Sequence, residues 1–188
     1  MNRIISRLLT LLAAFLMLTS VAACKQYPER INFEGTSTHY RWPVEFGVIS
    51  LNKVAIFVLG HGTASINLPP NDDIDKLSID MSWSEFHSGR SFKASFEVPI
   101  SKLYGVGYQS GRIFITVTVG RHGEIIVMGP YQENNEKPEI LRLCGKRTPE
   151  NDASFTDELE YLAANTNFND PKRLALPLPD SSCPDPGH

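Results

Sequence analysis

Leu77-Ser-Ile-Asp-Met-Ser-Trp-Ser-Glu85 alternates apolar and polar side chains without a break, and after the turn His87-Ser88-Gly89 the chain repeats the pattern in Arg90-Ser-Phe-Lys-Ala-Ser-Phe-Glu-Val98. Successive side chains of an extended chain point to opposite faces, so Leu77, Ile79, Met81 and Trp83 share one face, and Phe92, Ala94, Phe96 and Val98 share another. Two such runs across a short turn predict an antiparallel hairpin with one buried and one wet face. Trp83 is in phase with the apolar set and is expected in the core, a ligand-stacking role being the alternative. Arg90 opens the second strand near Glu85, which predicts a cross-hairpin ion pair, of little energetic weight if exposed.

Outward from this hairpin, Arg112 to Val119 and Glu124 to Met128 are strand-like and joined by Gly120-Arg-His-Gly123, a second hairpin with glycine at both corners. Upstream, Tyr40 to Ile49 and Lys53 to Leu59 are rich in aromatic and β-branched residues and read as a first hairpin around Ser50-Leu51-Asn52. Gly60 to Lys76, full of Gly, Pro, Asn and Asp, reads as a long connection, and Pro99 to Gly111 as a helical turn with three glycines. Lys137 to Cys144 has no decisive period. Ser154 to Asn165 reads as a helix, with Ser154 as cap, Asp157 and Glu158 in the first turn, and Phe155, Leu159 and Leu162 on one side. No βαβ rhythm occurs. The expected fold is therefore α+β, an antiparallel sheet of about six strands with the C-terminal helix over one face; a small β-sandwich is the alternative.

The N-terminus fixes an address. Arg3 and Arg7 precede an uncharged run from Leu8 to Ala23 that ends in small residues, the layout of an export signal. Its 16 residues would span about 24 Å as a helix, short of the ~30 Å hydrocarbon core. Residues 1–23 thus read as a cleaved leader, residues 24–38 as a polar tether without period, residues 39–175 as a single β-rich domain, and 176–188 as a proline-rich tail. Losing the leader removes two arginines and no acid, deepening the formal charge from −3 to −5. No basic stripe is present, which argues against a nucleic-acid partner.

Cysteine usage fits the same compartment. With Cys24 at the cleavage site, Cys144 and Cys183 remain, an even pair in an oxidising space, and are expected to form one disulfide that ties down the tail. Two unrelated buried thiols are the alternative. The tail has too many prolines for a helix or central strand and would otherwise fray.

Reaction chemistry is hard to find in the sequence. His61, between two glycines, is the one candidate for a periplasmic hydrolase, but nothing resembles a nucleophile elbow or a paired base around it. The acidic run Asp72, Asp73 and Asp75 lacks the glycine and glutamate of an EF-hand and reads as a solvated loop. The five histidines have no i, i+4 pair, so no metal or other cofactor is expected. A binding protein needs no titrating constellation, only exposed anchors on a rigid scaffold. The candidate contact residues are Tyr104 and Tyr108, four apart in a glycine-rich segment, with Asp72, Asp73 and Asp75.

Val21-Ala22-Ala23-Cys24 resembles the lipobox of bacterial lipoproteins, in which the cysteine is diacylated, the leader cleaved and the new amine acylated. An ordinary signal-peptidase site would instead leave Cys24 as a free thiol. Several acyl chains on one residue suffice for stable anchoring. Lys25 follows in place of the aspartate that resembles the inner-membrane retention signal, which implies the periplasmic face of the outer membrane, the inner membrane being the alternative. Trp83-Ser-Glu85, Gly89-Arg90-Ser-Phe92, Pro99, and the segment from Gly111-Arg-Ile-Phe-Ile to Met128-Gly-Pro-Tyr-Gln132 are similar to a bacterial lipoprotein family of unknown function. The anchor and disulfide together are similar in architecture to type VI secretion immunity lipoproteins. These resemblances imply a membrane-anchored periplasmic protein that binds a protein partner, such as a secreted phospholipase effector; a structural or assembly subunit of the envelope is the alternative.

Overall fold

The computed structural model describes residues 29–37, 42–56, 62–67, 75–104, 112–164, 177–178 and 180–187. Cys24, His61, Asp72, Asp73 and Tyr108 lie outside the described residues. Among the described residues there are ten strands and one α-helix: β1 (Arg30–Ser37), β2 (Val44–Leu51), β3 (Val54–Ile56), β4 (Gly62–Asn67), β5 (Lys76–Glu85), β6 (Ser91–Pro99), β7 (Arg112–Val119), β8 (Glu124–Met128), β9 (Glu139–Cys144), β10 (Lys146–Arg147) and α1 (Thr156–Ala164). They form two five-stranded sheets, ordered β4-β1-β7-β8-β9 and β10-β6-β5-β2-β3.

The β5–β6 hairpin has the register that its alternation requires, pairing Leu77 with Val98, Ile79 with Phe96, Met81 with Ala94 and Trp83 with Phe92. The β7–β8 hairpin spans the expected residues, and its turn places His122 and Gly123 at positive φ. The first hairpin is tighter than expected. Asn52 and Lys53 both have positive φ, as a two-residue turn of matching twist requires, so Ser50 and Leu51 stay in the strand.

One expected sheet is in fact two. The apolar faces of both contribute to a single core, with Ile31, Phe33, Ile113 and Ile115 from the first and Leu51, Leu77, Ile79 and Trp83 from the second. Each sheet is thus the other's cover, which corrects the expectation of one six-stranded sheet under a helix. The sandwich alternative is the nearer description. Four strands lie where none was expected or where the period was undecided. Arg30–Ser37, read as part of the tether, is β1, the second strand of the first sheet, and Gly62–Asn67, read as part of a long connection, is β4 at its edge. Both are short alternations whose apolar members number only two, Ile31 and Phe33 in one, Ala64 and Ile66 in the other, too few to stand out from a polar background. β9 and β10 settle the ambiguous region before the helix. β1 and β7 run parallel, a further departure from the all-antiparallel expectation. No helical crossover is needed, because the chain between them passes through the opposite sheet.

The helix starts at Thr156, two residues later than expected, and Leu159 N donates to Phe155 O in its first turn. Its anchorage is local: Phe155 is buried and stacks on Phe86 at 4.5 Å between ring centroids, while Tyr161 is 70% exposed. It does not roof a sheet.

Cys144 at the end of β9 and Cys183 in the tail stand at disulfide distance, with Cα atoms 5.7 Å apart. The tail then lies across the β7–β8 turn. Ser181 Oγ donates to Arg121 O (2.7 Å), and Ser182 donates through N (3.0 Å) and Oγ (2.6 Å) to Glu124 Oε1. Arg90 is drawn to this tail and not to Glu85. Its Nη1 donates to Asp185 Oδ1 at 2.7 Å, whereas the fully buried Glu85 accepts from Gly123 N (3.1 Å) and Ser88 Oγ (2.6 Å). The expected cross-hairpin pair is therefore replaced by two contacts that tie the sheets together at this end, because burial leaves Glu85 needing donors within its own pocket.

Candidate functional site

The outward faces of β4, β1 and β7 can be read in rows from their registers. Across β4, β1 and β7 in turn the rows run Asn67, Arg30, Arg112; then Ser65, Asn32, Phe114; then Thr63, Glu34, Thr116. The loop between β8 and β9 rises along the far side of these rows. It is closed on itself by Gly129 N donating to Pro138 O and Gln132 N to Glu136 O, with Asn135 at φ 60° making the tight bend. Between that loop and β4 runs a groove of about 460 Å³, floored by β1 and β7 and walled by Pro130, Tyr131 and Lys137. Its volume is in the range of small-ligand clefts.

Lys137 holds the loop to the sheet. Its Nζ donates to Glu34 Oε2 and to Thr116 Oγ1, each at 3.0 Å, and Thr116 Oγ1 donates to Glu34 Oε2 at 2.8 Å. The Tyr131 ring lies 4.9 Å from the Lys137 ammonium, close enough for a cation–π contact. Nearer β4, Ser65 Oγ donates to Asn32 Oδ1 at 2.6 Å. Burial alone would raise the Glu34 carboxyl. Hydrogen bonds from Lys137 and Thr116, with the charge of Lys137, outweigh it and hold the group below the ordinary carboxylate value. A carboxyl depressed in the folded state stabilises above its unfolded value, and that contribution fades as pH falls through the folded one. Lys137→Met should lift the Glu34 carboxyl toward or above the ordinary value and speed amide exchange in residues 129–138. A pH series of Glu34 side-chain chemical shifts checks this; an unmoved titration would show that Lys137 does not set it.

Two of the contact residues expected from sequence fall within the described residues. Tyr104 is 40% exposed, and burial of its other part pushes its phenol up. It follows Leu103, whose carbonyl accepts from Phe114 N at 3.3 Å, so the segment leaves the core beside a groove residue. Asp75 is exposed, and its carbonyl accepts from Ile100 N at 2.9 Å, at the start of the same turn. Neither lines the groove. The groove residues Asn32, Glu34, Thr63, Ser65 and Lys137 escaped sequence reading because their segments were read as tether, connection and undecided period. The signals that could have found them are Ile31-Asn-Phe33 and Ala64-Ser-Ile66, each with a polar residue between inward-pointing ones.

Among the described residues, no group of three His, Cys, Asp or Glu side chains is placed to hold a metal ion. The groove offers hydroxyls, one amide, one ion pair and two aromatic rings, the equipment for holding a ligand in place. No family model matches the chain, and no curated protein or solved structure does either.

Proposed function

We propose that the protein is a lipid-anchored periplasmic binding protein that engages another protein through the outward face of β4, β1 and β7, and that the partner is a secreted phospholipase effector which it blocks sterically. The observation that carries the reading is the groove itself: an open cleft on a sheet that shares one core with the other sheet, with its loop wall pinned by Lys137 to Glu34 and Thr116. Rigid, pre-formed surfaces bind without the cost of ordering their contacts. The lipobox at Cys24 supports the anchor, which would place the domain on the outer membrane's periplasmic face, where such an effector meets its substrate.

Four measurements test it. Mass spectrometry of membrane-extracted protein should find an acylated peptide beginning at Cys24, and Cys24→Ala should release the protein or leave it unprocessed; an unmodified terminus at Cys24 would remove the anchor. The product of an adjacent secreted-effector gene should co-purify with this protein, and cells lacking it should become sensitive to that effector. Unchanged sensitivity with no complex in vitro would overturn immunity and favour an envelope-assembly role. Turnover of esters, phospholipids or peptidoglycan that disappears in His61→Ala would favour a hydrolase.

A further inference from the structure

Four strand edges border the two sheets, and three are defended against further pairing. β10 has two residues and β3 three, with Lys53 leading into it. β9 carries Glu139 and Arg142, and the Cys183 tail is tied to its end. Short length, charge and a covering segment are the usual devices that keep an edge from recruiting a strand. Among the described residues β4 shows none of them. Gly62-Thr-Ala-Ser-Ile-Asn67 is six residues long, contains no charge and no proline, and pairs only with β1 among the described residues.

A second feature lies on the same face. Arg30 and Arg112 are register partners on the parallel strands β1 and β7, both exposed, and no described residue forms an ion pair with either. Like charges placed directly opposite each other weaken a sheet, so an acidic group brought near them would relieve that repulsion. Asn67, the last residue of β4, is in register with Arg30. A strand added outside β4 would place its residue opposite Asn67 two strand spacings, about 10 Å, from the Arg30 backbone, within reach of an extended arginine and an acidic side chain together. On β4, β1 and β7 the outward-facing cations are then these two arginines, since Glu34 is already matched by Lys137.

We propose that β4 is a docking edge for an extended segment of the partner protein, added as a sixth strand to the first sheet, with an acidic side chain opposite Asn67 that is held by Arg30, while Arg112 one strand further adds to the positive field. Backbone hydrogen bonds to β4 supply the attachment, and alternate side chains of the added strand point toward the groove beside Thr63 and Ser65. Selection for acid at one end comes from the arginine pair. The inference rests on the partner-binding reading above and specifies how that partner is held.

The test uses the exported protein with its disulfide intact and two fluorescein-labelled eight-residue peptides of alternating threonine and valine, one ending in two glutamates and one in two lysines. Anisotropy should show at least tenfold tighter binding of the acidic peptide, and Arg30→Glu with Arg112→Glu should reverse that preference. Hydrogen exchange of residues 62–67 should slow when the acidic peptide is bound, a change that charge attraction alone does not produce. Ser65→Lys, which gives the edge a charge, should weaken both peptides. Equal binding of the two peptides, or unchanged exchange in β4, overturns the proposal. Vesicles of phosphatidylglycerol that bind through the same arginines without slowing β4 exchange would assign the pair to a lipid surface and also overturn it. An effector complex that survives both arginine reversals and Ser65→Lys would remove strand docking and leave the partner-binding reading standing. Peptide docking without any effector complex would do the opposite.

Discussion

Gly145→Ala is expected to destabilise the protein by about 3 kcal/mol, at the upper end of overpacking costs in a filled core. Gly145 is the single residue between β9 in one sheet and β10 in the other, so the chain turns the corner of the sandwich on it. A Cβ there would lie 2.3 Å from Trp83 Cη2 and 2.8 Å from Cζ2. The indole has nowhere to retreat: it is 1% exposed and stacked on Phe92, whose own ring is closed off by Gly123, where a Cβ would come within 2.5 Å of Cδ1. Gly145 N also donates to Gly123 O at 2.8 Å, so moving the corner away from Trp83 would break a bond that joins it to the β7–β8 turn. Thermal unfolding should fall by roughly 10 °C for a chain of this size. Because the cost arises from one contact, Trp83→Phe should partly relieve it, and the double variant should be more stable than the sum of the two single losses predicts. A loss below about 0.5 kcal/mol for Gly145→Ala would mean that the corner yields and Trp83 is not fixed there.

The same residues show how far the fold could be read in advance. Long alternations carry their own register, so Leu77 to Val98 and Arg112 to Met128 could be placed by period alone, and Trp83 could be put in the core. What period cannot supply is the partner across the core. Nothing in Leu77 to Val98 says whether its apolar face meets a helix or a second sheet, and the answer came from β1 and β4, whose alternations are too brief to compete with polar neighbours. Because the groove is built on those two strands, missing them also meant missing the site. Glu34 and Lys137 are 103 residues apart in sequence, and their pairing is a product of the β1–β7 parallel register, which has no local signature. Cysteine parity, by contrast, is a global count, and it brought Cys144 and Cys183 together correctly.

Removing that disulfide, by Cys144→Ser with Cys183→Ser, is expected to lower equilibrium stability by about 4 kcal/mol, the chain-entropy value for a sequence separation of 39. The loss lies mainly in the unfolded chain, which regains the freedom that the closed loop denied it. In the native state the tail would still be held by Ser181 on Arg121, Ser182 on Glu124 and Asp185 on Arg90, contacts that open locally without unfolding the sheets. Hydrogen exchange should therefore speed most in residues 180–187, while β5, β6, β7 and β8 remain the slowest segments. Glu124 reports the same event. Burial would raise its carboxyl, but Ser182 through Oγ and N, and then Arg142, overcome this and keep it below the ordinary carboxylate value. Such a group stabilises the fold above its unfolded value and loses that contribution as pH falls through the folded one. When the tail opens, the Ser182 donors leave, the Glu124 carboxyl rises, and the acid-side slope of stability against pH should flatten. The comparison needs denaturant midpoints of the bonded and double-serine proteins at neutral pH and again on the acid side. A stability difference that is the same at both would mean that Ser182 stays on Glu124 without the covalent tie. The disulfide would then constrain only the unfolded chain.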